Sequence, residues 1–402
     1  MKLFQKLLLA PAALGLFAPV VANANESNFR AVTDYTQDKV EVSLDTFKPL
    51  SNKNPLLAGG EGASSNQSNN NFDGDSFSAT TTAQFTSNFA LATIDGENAV
   101  EQELGMNFDW EVALSSSFTG NDSLDVVMNA GASNLFPELD MTHSANARIM
   151  VDTVTYTNSL SDRVTAFFAT GNGTAGSALY NTACAYGGVA DTFSDCGVSA
   201  ANIDEGLGTA AGMSFNFENG LSVALGYEGQ GLASGEVGLL SVNGADAFGG
   251  QVSYYGDSFG VSLSIANIDN HNGTNTNARV NTGQTQSTGF NAYYAPDLAN
   301  FPSVSFGIET KHDNSVTSTT TDDRSHYFVG IQWDEVGDGT LGAAIGSKEP
   351  TVENTDAQTM YELFYAYNYA DGITLTPFYY SKDNTGTTES ETGIGVKTTF
   401  SF

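Results

Sequence analysis

The stretch ELGMNFDWEVALS, residues 103–115, alternates without a break. Leu104, Met106, Phe108, Trp110, Val112 and Leu114 are apolar, and every residue between them is polar or small. A helix would scatter the apolar set around its circumference, whereas a strand puts it on one face. The segment is long for a sandwich strand and matches a tilted strand that crosses a bilayer.

The same period of two recurs to the C-terminus and predicts sixteen strands between residues 76 and 402, beginning near 76–93 and including one near 145–157. Their connections alternate in length. TGND (119–122), NSLSD (158–162), ENG (218–220), GDS (256–258) and ADG (370–372) are short. The segments 171–207, 230–246, 267–285 and 313–324 are long and polar. Short turns at one rim and long loops at the other predict an all-β fold, a transmembrane antiparallel β-barrel of about sixteen strands. In lipid every backbone N–H and C=O must be paired, so a sheet can cross only when closed. A barrel this wide encloses water rather than a packed core.

The chain ends GIGVKTTFSF (393–402), still in clean alternation. A strand kept regular to its last residue predicts a closing partner, the first strand. At the other end, Lys2 and Lys6 precede an apolar run, Leu7–Val21, and then Ala22-Asn23-Ala24. That is the pattern of a cleaved export signal over residues 1–24. Residues 25–75 read as a low-complexity periplasmic segment, with GGEGASSNQSNNNFDGD (59–75) as a linker, and 76–402 as the barrel.

Composition agrees with an exported β protein. There are 42 glycines, 26 phenylalanines and 16 tyrosines, with a mean hydropathy of −0.18. The formal net charge is −32, from 14 basic and 46 acidic residues. Nucleic acid is excluded as a partner because phosphates need a basic footprint, whereas inorganic cations are attracted. Cys184 and Cys196 predict one disulfide closing a loop in an oxidising compartment. His143, His271, His312 and His326 lack metalloprotease spacing, and neither a nucleophile elbow nor a phosphate loop is present. No enzyme, cofactor or metal site is expected. Parity assigns Glu103, Asp109, Glu111, Arg163, Glu309, Lys311 and Lys397 to the lumen, an acid-dominated set that predicts cation preference. Trp333, Tyr361, Tyr365, Tyr367 and Tyr369 suit an aromatic girdle.

Several stretches resemble the outer-membrane porins of marine cyanobacteria, relatives of the OprB-like carbohydrate-selective porins. They are MKLFQKLLLAPAALGLFAP (1–19), FSATTTAQF (77–85), NFDWEVALSSSFTGNDSL (107–124), ACAYGGVADTFSDCG (183–197) and GMSFNFENGLSVALGY (212–227). The resemblance implies a homotrimer in the outer membrane that passes small solutes and ions by diffusion. It also implies that the third long loop, 171–207, folds inward as a constriction, with Asp191, Asp195, Asp204 and Glu205 as its carboxylates. Phe402 and Phe400 match the C-terminal signal read by barrel-assembly machinery. Long family members carry a surface-layer-homology domain before the barrel, for which residues 25–75 are too short and polar, so this is a short form. A structural or adhesive barrel with a loop-occluded lumen is the alternative.

Overall fold

The computed structural model describes residues 81–96, 102–132, 136–139, 141, 148–204, 206–230, 238–240, 244–269, 283–298, 301–314, 323–348, 358–383 and 390–402. The segments 1–24 and 25–75 lie outside the described residues. Sixteen strands follow one another: β1 (Thr81–Asp95), β2 (Gln102–Ser116), β3 (Asp122–Gly131), β4 (Met150–Ser161), β5 (Val164–Gly171), β6 (Thr209–Asn216), β7 (Leu221–Gly229) and β8 (Asp246–Tyr255). The second half holds β9 (Phe259–Asp269), β10 (Gln284–Tyr294), β11 (Ser303–Asn314), β12 (Asp323–Trp333), β13 (Gly339–Lys348), β14 (Gln358–Ala370), β15 (Ile373–Asp383) and β16 (Ser390–Ser401). Each pairs antiparallel with its chain neighbours, and β16 pairs with β1, so the sheet is a closed barrel.

Seven short turns lie at one rim together with both ends of the barrel. Gly220 and Gly372 occupy such turns with φ of 85° and 72°, a left-handed conformation open to glycine. A Cβ on either would also strike a neighbouring carbonyl, 2.2 Å from Tyr255 O and 2.3 Å from Ser401 O. One boundary differs from expectation. β4 runs to Ser161, so NSLSD is mostly strand and the turn is Asp162–Arg163. A register shift between Ser159 and Ser161 accommodates the tight reversal. The polar composition of 158–161 looked like a turn, but Ser and Asn tolerate a strand end whose backbone is paired.

Alternation sorts the side chains. On β2, Leu104 and Met106 are exposed outward, while Asn107, Asp109 and Glu111 are buried inward. Outward aromatics gather near the turn rim: Phe85, Tyr254, Phe259, Tyr294, Trp333, Tyr365, Tyr367 and Tyr369. Tyr361 lies at the opposite end of β14.

The seam between β1 and β16 runs from Thr86 opposite Ser401 to Asp95 opposite Thr392. Its turn-side end is closed by Phe402, whose N–H donates to Phe85 O at 3.0 Å and whose carbonyl accepts from Phe85 N–H at 2.8 Å. The two rings stack at 5.5 Å, and Phe400 meets Phe89 edge-on at 6.0 Å. Deleting Phe402 removes two backbone bonds and a stack, about 2–4 kcal/mol. Semi-native gels after refolding should show less folded barrel than for Phe402→Ala, which keeps the backbone bonds. Equal yields would mean that closure does not use the last residue.

Candidate functional site: a loop docked on the inner wall

The connection between β5 and β6 lies against the inward face of the barrel. It begins with a short helix, α1 (Ala175–Leu179), whose N-cap Thr174 accepts from Ser177 N–H. An extended arm follows. In an extended chain every second N–H points the same way, and here that set is Ala183, Ala185, Gly187 and Val189. These donate in turn to Ser262 Oγ on β9 (3.0 Å), Ser305 Oγ on β11 (2.9 Å), Gln332 Oε1 on β12 (2.9 Å) and Glu362 Oε1 on β14. The chain reverses through a kinked 3-10 segment, Asp191–Gly197, in which Asp195 and Cys196 have left-handed φ. The returning arm bonds Asn291 on β10, Glu309 on β11, and Gln251 and Ser264 on β8 and β9. Cys184 and Cys196 are disulfide-bonded, joining the two arms.

Three glutamates hold this loop by its backbone. Ala175 N–H donates to Glu228 at 2.9 Å and Ala201 N–H to Glu309 at 2.7 Å. Val189 N–H and, at 3.3 Å, Ala190 N–H both donate to Glu362. All three glutamates are at most 4 % exposed. A carboxylate accepting backbone N–H groups makes a charge-assisted bond, stronger than a neutral one.

The wall is cut back to receive the loop. At Gly307 a Cβ would lie 1.8 Å from Cys196 O, at Gly289 2.2 Å from Val198 Cγ1, and at Gly346 2.6 Å from Phe193. Gly226 and Gly249 likewise face Ile203. Apolar contacts fill the rest. Phe193 packs on Phe328 at 5.3 Å, and Tyr186 on Phe328 and Phe364 at 5.2 and 5.8 Å. Leu179, Ala200 and Ile203 pack against Phe167, Ala210, Ala224 and Ala247. Burial, reinforced by Glu228 and Glu362 respectively, pushes the Tyr180 and Tyr186 phenols above their ordinary range, so both stay protonated.

A second connection joins from inside. In the β3–β4 loop, Phe136, Leu139 and Met141 are buried in a cluster with Ala90, Ala92, Ile94, Phe193 and Tyr380. Lys382 binds Glu138 of this loop at 2.9 Å and Glu391 at 3.1 Å, and Thr192 donates to Glu138 at 2.7 Å. Nothing in the period-two pattern foretold this insertion.

The sequence-derived residues fall in different places. Asp195 and Asp204 are buried in the seam between loop and wall, where Thr174 Oγ1 donates to Asp204 at 2.5 Å. Asp204 is thus held within the loop itself, and Asp195 meets the wall through its backbone carbonyl, which accepts from Asn291 at 2.9 Å. Asp191 is half-buried at the start of the 3-10 segment, and Glu205 lies outside the described residues. Asp109 and Glu111 are inward on β2, and Asn88 donates to Asp109 at 2.7 Å. Glu309 and Lys311 are inward on β11, 3.6 Å apart, and Lys397 is buried inward on β16, where it interacts electrostatically with Asp109 and Glu362. One assignment fails on local geometry, and a second falls where alternation cannot be read. Arg163 is in the β4–β5 turn, exposed and paired with Glu218. Glu103 sits beside a register shift at Ala92/Ile94, where alternation breaks, and is exposed at the loop rim. Glu228 and Glu362 were missed; the signal at Glu228 was an acidic residue on the face of Ser222, Ala224 and Gly226, whereas Glu362 sits between Met360 and Phe364 on the inward face of β14.

At its start Asn172 donates to Asp152 on β4, by its backbone N–H at 2.9 Å and its side chain at 2.7 Å. From Ala175 onward the loop's hydrogen bonds to the wall described above fall on β7–β12 and β14. Across from them, β2–β5 present Asp109, Glu111, Ser115, Asp125, Thr155, Thr157 and Thr165 inward, hydroxyls and three carboxylates interspersed with Ala113, Val127 and Phe167.

A scan of protein-family models finds no match, and neither does a sequence comparison with curated proteins. Solved structures do match. A mutant of the Rh. blastica porin aligns over 80 % of this chain and 100 % of that one, at 15 % identity and a TM-score of 0.51. The anion-selective porin from Comamonas acidovorans aligns over 80 % and 99 %, at 12 % identity and a TM-score of 0.57. At such identities the likeness carries the fold.

Replacing Glu362 by Ala leaves two loop N–H groups without their acceptor, a loss of about 2–4 kcal/mol from loop docking. Limited proteolysis within 185–192 should speed up while the barrel stays closed. Gly307→Val should do the same by steric conflict with Cys196 O; unchanged cleavage in both would show that the loop is not held as described.

Proposed function

We propose that the protein is an outer-membrane porin, a water-filled channel for passive diffusion of small hydrophilic solutes and inorganic ions. The observation that carries this is the β5–β6 loop, docked along one side of the lumen and facing a hydroxyl-lined wall on the other. A packed loop narrows the bore without itself being free to leave it. The outward apolar face with its aromatics suits lipid, and the polar inward face suits water. Export by residues 1–24, a place in the outer membrane, a homotrimeric assembly and kinship with the cyanobacterial porins belong to the same reading, supported by the sequence patterns above.

We further propose that the channel prefers cations. Glu111 and Asp125 face inward on β2 and β3, whereas the inward bases Lys311, Lys382 and Lys397 are engaged by Glu309, by Glu138 and Glu391, and by Asp109 and Glu362, respectively. The Comamonas porin is anion-selective on the same architecture, so the sign of selectivity belongs to the lining and not to the fold. The two inserted loops favour one second reading, an occluded structural barrel.

Planar bilayers separate the two readings, since an open channel gives ohmic steps and an occluded barrel gives none. In a KCl gradient the reversal potential should have the sign of cation preference, and Glu111→Gln with Asp125→Asn should move it toward zero. An anion-selective potential in the unaltered protein would remove the cation claim and leave the channel intact.

A further inference from the structure

While the β3–β4 and β5–β6 loops turn inward, a part of the β7–β8 loop turns outward. Tyr227 and Phe248 are outward-facing partners at the loop-side ends of β7 and β8, with rings 4.9 Å apart. The Tyr227 hydroxyl donates to Asp246 Oδ1 at 2.5 Å. Above them the Leu240 N–H donates to Tyr227 Oη at 3.1 Å and to Asp246 Oδ1 at 3.4 Å. The loop backbone is therefore pinned to the outer surface of the sheet. Leu240 has φ of 57°, a left-handed conformation that leucine rarely adopts. Yet the side chain so held is 69 % exposed, and Leu239 beside it 48 %.

A strained backbone that presents two leucines to the exterior has no use in an aqueous loop. Directly below, Leu225 and Phe248 are exposed on the outer face at 59 % and 53 %, so the leucine pair continues the outward apolar band past its aromatic border. We propose that Leu239 and Leu240 form an interfacial anchor, inserted at the boundary between acyl chains and headgroups of the outer leaflet. This rests on the reading of the outward face as lipid-facing. A tyrosine hydroxyl at the polar level with apolar groups beside it is the arrangement such a boundary selects.

The test uses tryptophan quenching by brominated lipid in the full chain. Trp110 and Trp333 are first replaced by phenylalanine, and Leu240→Trp is then introduced, with Leu239→Trp as a second variant free of the left-handed backbone. Leu225→Trp is the control on the barrel face. In phosphatidylcholine vesicles with bromine on the upper acyl chain, the anchor should give blue-shifted emission that loses at least half as much intensity as the control. Water-like, unquenched emission from both loop variants beside a quenched control overturns the anchor and leaves the membrane barrel standing. Blue-shifted but unquenched emission also overturns it, since the leucines would then be covered by protein. An unquenched control would count against the lipid-facing barrel itself.

Discussion

A sheet without an edge is the constraint on which the rest of this molecule depends. Sixteen strands pair in sequence, and the last finds the first, so no row of backbone groups is left over. That condition explains the regularity of the alternation, because each side chain must belong to either the inside or the outside. It explains why the chain stays ordered to Phe402, and why the turns at that rim are short. It also sets a problem: a ring of this size leaves more interior than side chains of the wall can fill.

The interior is instead furnished by the chain's own connections. The β5–β6 loop supplies backbone N–H groups, and the wall answers with carboxylates and hydroxyls at matching intervals. The glycines beneath it set how closely it can approach, while Phe193, Tyr186 and Ile203 supply the apolar contact. A large part of the apolar core of this barrel therefore lies between loops and wall. On the reading proposed above, the bore that remains is displaced toward β2–β5, where Glu111 and Asp125 face inward. On that reading, selectivity and loop docking draw on different arcs of one wall.

The fold was legible because alternation is a local signal, repeated sixteen times and insensitive to an error at any one strand. The inward positions of Asp109, Glu111, Glu309, Lys311 and Lys397 were legible for the same reason, and the disulfide because the exported chain holds two cysteines twelve positions apart. Arg163 was misplaced where a turn interrupts the period, and Glu103 lies beside a register shift, neither of which parity alone sees. Asp195 and Asp204 show a different limit: their burial depends on how an irregular loop folds, which alternation does not describe. The glycines at 226, 249, 289, 307 and 346 were visible as small residues on the inner face. Their meaning, a track for a docked segment, needs the strands side by side.

The location of the loop's partners has a consequence for the order of assembly. Apart from Asp152 on β4, the wall residues that hydrogen-bond it belong to β7–β12 and β14. The loop can therefore settle onto a curved but still open sheet, with the seam zipped afterward around an interior already occupied. Such a barrel would close on its contents, like a cask built around its lining, and would not need to thread a finished loop through a finished rim.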